Sequence, residues 1–320
     1  MAGRDLKDLI AAYGQRDDLR FRRAAQALID EQEAKRHTAL AGELRSLLAG
    51  STSVAVTEHV IPEAPVDRDT GAPLARVTSS SLRLRDLILS PSNEIALDEL
   101  VHEVNHWELL DRHGVERRNR VLLWGPPGCG KTSAAQALAG ELGRPLVTVR
   151  VDSLVSSLLG ESAANLSKVF EMAAQQPCVL FLDEFDSLGT SRQDATDHGE
   201  LRRLVNVVLQ LLEPYVGPSL VVAATNYPDV LDPALWRRFD LILKLDVPNA
   251  FELDQLLRRE LAGQFDDVVT PAVRALEGLP QAAAHYFAET VRRKSILSKG
   301  ALGEDVVRLA LDETTARRWT

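Results

Sequence analysis

The nine residues Gly125-Pro126-Pro127-Gly128-Cys129-Gly130-Lys131-Thr132-Ser133 combine glycines, a lysine and hydroxyls at the spacing that binds polyphosphate. Glycines let the backbone curl until its N–H groups point at phosphate oxygens. The Lys131 ammonium then neutralises β- and γ-phosphate charge, and the Thr132 hydroxyl reaches Mg2+. The segment is read as a loop that binds a nucleoside triphosphate. A second cluster, Asp183-Glu184, comes after the apolar run Val179-Leu180-Phe181-Leu182. A buried strand there would deliver Asp183 beside Thr132, where it holds Mg2+ through water. It would also place Glu184 to orient or deprotonate the water that attacks the γ-phosphate. The implied chemistry is hydrolysis, against the structural alternative that the two carboxylates only end a strand and begin a turn.

Both clusters need strands that stop at the right places. The apolar run Val121-Leu122-Leu123-Trp124 leads into the glycine loop and Ser133 to Leu138 leaves it with helical composition, which is the strand–loop–helix context the loop requires. Further strands are expected at Leu146 to Val149, Val179 to Leu182, Leu220 to Ala224 and Leu241 to Leu245, with helical stretches between them. That alternation predicts an α/β fold, a P-loop-type parallel sheet with helices on both faces. Beyond Pro248 the strands stop. The spacing of Leu253, Leu256 and Leu257, of Val273 and Leu276, and of Val306, Val307, Leu309 and Ala310 predicts a small all-helical lid.

Ahead of the sheet, apolar stripes such as Leu6, Leu9, Ile10 and Tyr13 predict two or three short helices over residues 1–50. Residues 51–81 turn to Ser, Thr, Pro and charge, including Asp67-Arg68-Asp69-Thr70-Gly71, and have the composition of a flexible connection. The organisation expected is a helical module at 1–50, a linker at 51–81, the α/β domain at 82–248 and the helical lid at 249–320. With 320 residues and ordinary apolar content the chain can bury a sizeable core. A net charge of −9 opposes whole-surface attraction to nucleic acid. No secretory core or bilayer-length apolar run is visible, and the two cysteines, Cys129 and Cys178, read as reduced thiols rather than a disulfide framework, so a cytoplasmic location is expected.

Together these motifs resemble the AAA+ ATPases, especially the AAA clade of protein remodellers, over about residues 85–300. The resemblance implies ATP and Mg2+ as ligands. It also implies that Asn226, in Ala223-Ala224-Thr225-Asn226, senses the γ-phosphate and the attacking water. Leu231 to Asp240 is similar to the family's second region of homology, whose arginines reach the ATP of a neighbouring subunit, so Arg237 and Arg238 are finger candidates. The competing reading makes them surface arginines answering Asp232 and Asp240. Arg202-Arg203-Leu204-Val205-Asn206 resembles the family's segment facing the next subunit, and a ring, usually a hexamer, is implied by the resemblance.

Other positions depart from the family. The first pore loop, at Val155 to Ser162, holds Ser157 and Leu158 where threading members carry a basic residue and an aromatic. The second would fall at Ser191 to Gly199. The lid helix that normally starts with a glycine admitting the adenine edge reads Gly278-Leu279-Pro280-Gln281-Ala282-Ala283. Two functions lead, a ring ATPase that remodels or disassembles a protein partner and an ATP-gated assembly switch regulating an effector without threading; a third, a DNA-transaction role, is opposed by the acidic charge and the Leu231 to Asp240 segment. A subtilisin-like protease is a partner suggested by resemblance alone. Nucleic acid and membrane are not expected partners.

Overall fold

A computed structural model describes residues 29, 63–68, 70–149, 161–185, 207–228, 233–261, 266–297 and 304–319. The chain divides into two compact units, Met1–Glu58 and His59–Thr320, and the second holds the sheet. The helical module expected at 1–50 apart from Ile29, residues 155–160 of the first pore-loop segment, the second at 191–199, the segment 202–206, Leu231 and Asp232 lie outside the described residues.

Six strands form one sheet: β1 Ala75–Thr78, β2 Arg120–Trp124, β3 Leu146–Val149, β4 Val179–Leu182, β5 Leu220–Thr225 and β6 Leu241–Lys244, in the order β1-β3-β4-β5-β2-β6. All pairs are parallel except β1 with β3. Strand pleating alternates the side chains, so Leu122, Leu180, Leu182, Val221 and Ala223 enter one core while Val121, Leu123, Phe181, Val222 and Ala224 enter another. Each core has its own helical cover. On the second face lie α1 (Pro91–Asn105) and, beyond the short α2 (Trp107–Arg112), α3 (Lys131–Glu141), whose Ala134, Ala135, Ala137 and Leu138 approach the strands closely. On the first lie α4 (Glu161–Gln175), through Leu166, Val169, Phe170 and Ala173, and the helical residues 207–212. This is the layered α/β arrangement that strand–helix alternation predicts.

β1 differs from the sequence expectation. It falls inside the stretch read as a linker, yet Ala75 to Thr78 pair antiparallel with Val149 to Leu146. The turn before it is held too: Asp67 accepts from the Thr70 backbone N–H at 2.8 Å and from its hydroxyl at 2.9 Å, and its other oxygen accepts from Asn165 Nδ2 of α4 at 2.6 Å. A four-residue edge strand presents only Ala75 and Val77 to the core, too little for an apolar pattern to register. The polar residues beside it are there to form hydrogen bonds.

After the short α5 (Pro233–Trp236) and β6, the described residues form four further helices: α6 (Ala250–Glu260), α7 (Asp266–Leu276), α8 (Gln281–Leu297) and α9 (Glu304–Thr315). They bury Leu253, Leu257, Val269, Leu276, Phe287 and Val291 in a third core, against which Ile88 also packs. A capping box starts α6: the Asn249 side chain accepts from the Glu252 N–H, and Glu252 accepts from the Asn249 N–H, at 3.0 Å each. Among the described residues no helix is long and apolar enough to cross a membrane.

Candidate functional site

β5 lies between β2 and β4, so the carboxyl ends of all three open onto the same edge of the sheet, where α/β sheets bind ligands. The glycine loop leaves β2 through a narrow gap. The Gly125 N–H donates to Thr225 O at 3.3 Å, and a Cβ on Gly125 would lie 2.0 Å from Leu245 O, so only glycine can pass between β5 and the end of β6. The loop then feeds directly into α3, whose first residue is Lys131.

A cleft of about 410 Å3 opens there. It is lined by Pro127, Gly128, Gly130, Lys131, Thr132 and Ser133 of the loop, by Asp183 and Glu184 after β4, and by Asn226 after β5. Residues far apart in sequence thus share one wall. Lys131 is buried, and its Nζ donates to the Gly125 and Pro126 carbonyls at 2.8 Å each. The Thr132 hydroxyl donates to Asp183 Oδ2 at 3.1 Å, while Asp183 Oδ1 accepts from the Glu184 N–H at 3.0 Å. This pair supplies two hard oxygens at the mouth of an anion-binding loop, a donor set suited to Mg2+ shared with phosphate. Cys129 is buried and burial pushes its thiol up, which keeps it protonated rather than a reactive thiolate.

The lid side of the cleft was not found in the sequence as a site. Gln281, Ala282 and His285 at the start of α8 also line the cleft. The Ala282 N–H donates to the Gly128 carbonyl at 3.0 Å, and His285 Nδ1 lies 3.2 Å from Glu260 Oε1 of α6. The signal available was the missing glycine at this helix start, which marks the place where the lid meets the loop.

An uncharacterized AAA family ATPase, y4kL of Sinorhizobium fredii, is 39% identical to this chain over 295 residues, covering 91% of the chain and 86% of that protein. The sequence profile of the ATPase family associated with various cellular activities (AAA) matches residues 121–247. The chain belongs to the AAA family of ATPases. The proteasome-activating nucleotidase of Thermococcus onnurineus is 42% identical over 154 residues, 46% of this ATPase and 38% of that protein. The AAA domain of FIGL-1 superposes with a TM-score of 0.60 at 24% identity, covering 76% of this chain and 86% of that one, a likeness of fold.

The two finger candidates of the ATPase stand apart from its cleft and differ from each other. Arg238 forms an ion pair with Glu213 of its own chain. Arg237 is exposed and, among the described residues, has no ion-pair partner. Asp240 answers neither. It accepts from Arg120 Nε at 3.0 Å and Nη2 at 2.6 Å, and from the Asn119 and Arg120 N–H groups at 3.0 Å each, which ties β6 to the start of β2.

Proposed function

We propose that this AAA ATPase works as a Mg2+-dependent enzyme in an oligomeric ring, where hydrolysis drives remodelling or disassembly of a protein partner. The observation that carries the reading is the Thr132–Asp183 hydrogen bond, with Glu184 and Asn226 on the same cleft and the lid bonded to its rim through Ala282. Gly125 to Ser133 cradle the phosphates and Lys131 turns from the loop carbonyls to meet their charge. Thr132 and Asp183 would hold Mg2+, which would supply positive charge to offset that of the phosphates. Glu184 orients or deprotonates the attacking water and Asn226 hydrogen-bonds the γ-phosphate. The products are ADP and phosphate.

Because Ala282 joins α8 to Gly128, a change at the phosphates reaches the lid through one hydrogen bond. This is a direct route from chemistry to motion. The name of the archaeal relative, proteasome-activating nucleotidase, supports a protein partner and makes a proteolytic one reasonable. The cysteines, both free and buried, suit the reducing cytoplasm. Leu158, at the position where threading members carry an aromatic ring, favours a second reading in which ATP gates assembly and the ring regulates an effector without threading it.

The test separates binding from turnover. Glu184→Gln is expected to bind Mg-ATP like the wild type while hydrolysis falls about 100-fold or more, and Lys131→Ala is expected to lose binding. The mass of the Glu184→Gln protein with Mg-ATP should rise to that of a ring. Retained turnover in Glu184→Gln would sink the assignment of the site. A ring that binds a captured partner without changing its protease sensitivity would select the switch.

A further inference from the structure

Among the described residues, Gln281 is the one side chain shared by the phosphate cleft and a neighbouring cavity of about 200 Å3. Ile88, Leu89, Leu245 and Val247 line that cavity together with polar and charged side chains, Lys244 and Glu252 among them, and Cys129 of the loop is also on its wall. The Gln281 carboxamide stands in the passage. Its Nε2 donates to the Ile88 carbonyl at 2.8 Å, and its Oε1 would be 3.3 Å from a Cβ on Gly130. The next residue, Ala282, is bonded through its backbone to Gly128, so the amide cannot leave the passage by a small slide of the helix.

If the loop holds the phosphates, as the proposed function has it, the base has to lie beyond the loop. The second cavity offers the faces of a planar ring the apolar side chains of Ile88, Leu89, Leu245 and Val247, and offers its polar edges the rest of the lining, which includes Asn93 and Glu252. We infer that Gln281 is a specificity-determining gate for the base: its amide occupies the place of an amino edge, and a purine enters only by donating its own N–H to the Ile88 carbonyl instead. An adenine exchanges one hydrogen bond for another, because its exocyclic amine is a donor. Guanine presents a carbonyl at the corresponding edge and would leave the part-buried Ile88 oxygen unpaired, a mismatch that sites built on hydrogen bonds reject strongly. The glutamine makes every base-bearing ligand break a bond first.

The experiment is calorimetric titration of the full chain, wild type and Gln281→Ala, with Mg-ADP, Mg-GDP and Mg-pyrophosphate. Wild type is expected to bind ADP over GDP. Gln281→Ala is expected to bind ADP about three- to tenfold tighter, the worth of one net hydrogen bond no longer broken, and pyrophosphate no differently. Since the expected change is a gain, a poorly folded variant cannot imitate it. ADP binding that is equal or weaker in Gln281→Ala overturns the gate while leaving the phosphate site standing. A gain for pyrophosphate as large as that for ADP also overturns it, since the effect would then be a loosened lid. Wild-type protein that binds neither ADP nor pyrophosphate removes both the gate and the function on which it rests.

Discussion

Glu184 carries a positive backbone angle, φ 50°, the one such angle among the described non-glycine residues. Left-handed backbone costs an L-residue about 1–2 kcal/mol, and the conformation is seen most often where a site holds it for a purpose. Here it turns the chain sharply after β4, so that Asp183 bonds Thr132 while the exposed Glu184 still faces the same cleft. Asparagine tolerates this region better than glutamate does. Glu184→Asn is therefore expected to raise unfolding stability by about 0.5–1 kcal/mol and to lose hydrolysis, which urea unfolding beside a phosphate-release assay would show. A variant that is both less stable and inactive would mean the turn is not strained. The pair Asp183-Glu184 was legible in the sequence as chemistry because its apolar run ends there. The left-handed turn was not, since nothing in two adjacent carboxylates announces a backbone angle.

The contact between loop and lid is a property of elements. Gly128 has φ +74°, and a Cβ there would lie 2.9 Å from the Ala282 Cβ and 3.4 Å from the Pro280 Cβ. Gly128→Ala combines backbone strain with a clash across the junction and is expected to cost about 1–3 kcal/mol in urea unfolding, together with weaker Mg-ATP binding. Unchanged stability and binding would show that the lid does not rest on the loop in solution. Strands β2 to β6 and the lid helices α6, α7 and α9 were readable because each carries an apolar run or period. The junction was not, because Gly128 and Ala282 meet through a backbone hydrogen bond, which leaves no mark on side-chain pattern. The opposite face of the sheet offers a second check. Tyr215 sits after the helical residues 207–212, and its hydroxyl donates to Ala173 O of α4 at 2.9 Å. Burial, opposed in part by hydrogen bonding at Ser219, raises this phenol from 10.0 to about 12. The unfolded chain releases the proton first, so between about pH 10 and 12 unfolding becomes easier by roughly 1.4 kcal/mol per pH unit. Below that window both states are neutral and the contribution is intact. Tyr215→Phe should flatten this part of the stability profile relative to wild type, and parallel profiles would count against a buried neutral phenol.

At the scale of the whole molecule, the described cleft holds the residues proposed as general base, sensor and metal ligands but no arginine, and both finger candidates lie outside it. The order of Arg237 and Arg238 after Thr225-Asn226 was legible in the sequence, whereas the difference in their surroundings was not, because it depends on Glu213, which is distant in sequence. Arg238 is engaged with Glu213 within its own chain and Arg237 is exposed, so Arg237 is the better placed to reach another subunit. Head-to-tail contacts of that kind close rings, and an arginine supplied in trans to a phosphoryl transition state is worth about 10³-fold or more. Arg237→Ala is accordingly expected to bind ATP and hydrolyse it at a small fraction of the wild-type rate, while Arg238→Ala is expected to lose less. The decisive arrangement mixes two inactive proteins. Arg237→Ala retains a complete cleft and lacks the finger; Lys131→Ala retains the finger and lacks the cleft. Where the first receives Arg237 from the second, one competent site is rebuilt at the boundary, and random mixing in equal amounts should restore about a quarter of wild-type turnover. Co-assembly is checked by the mass of the mixed particle. Mixed rings that form and stay inactive would place Arg237 outside the reaction, and an Arg237→Ala protein already active alone would make the finger unnecessary.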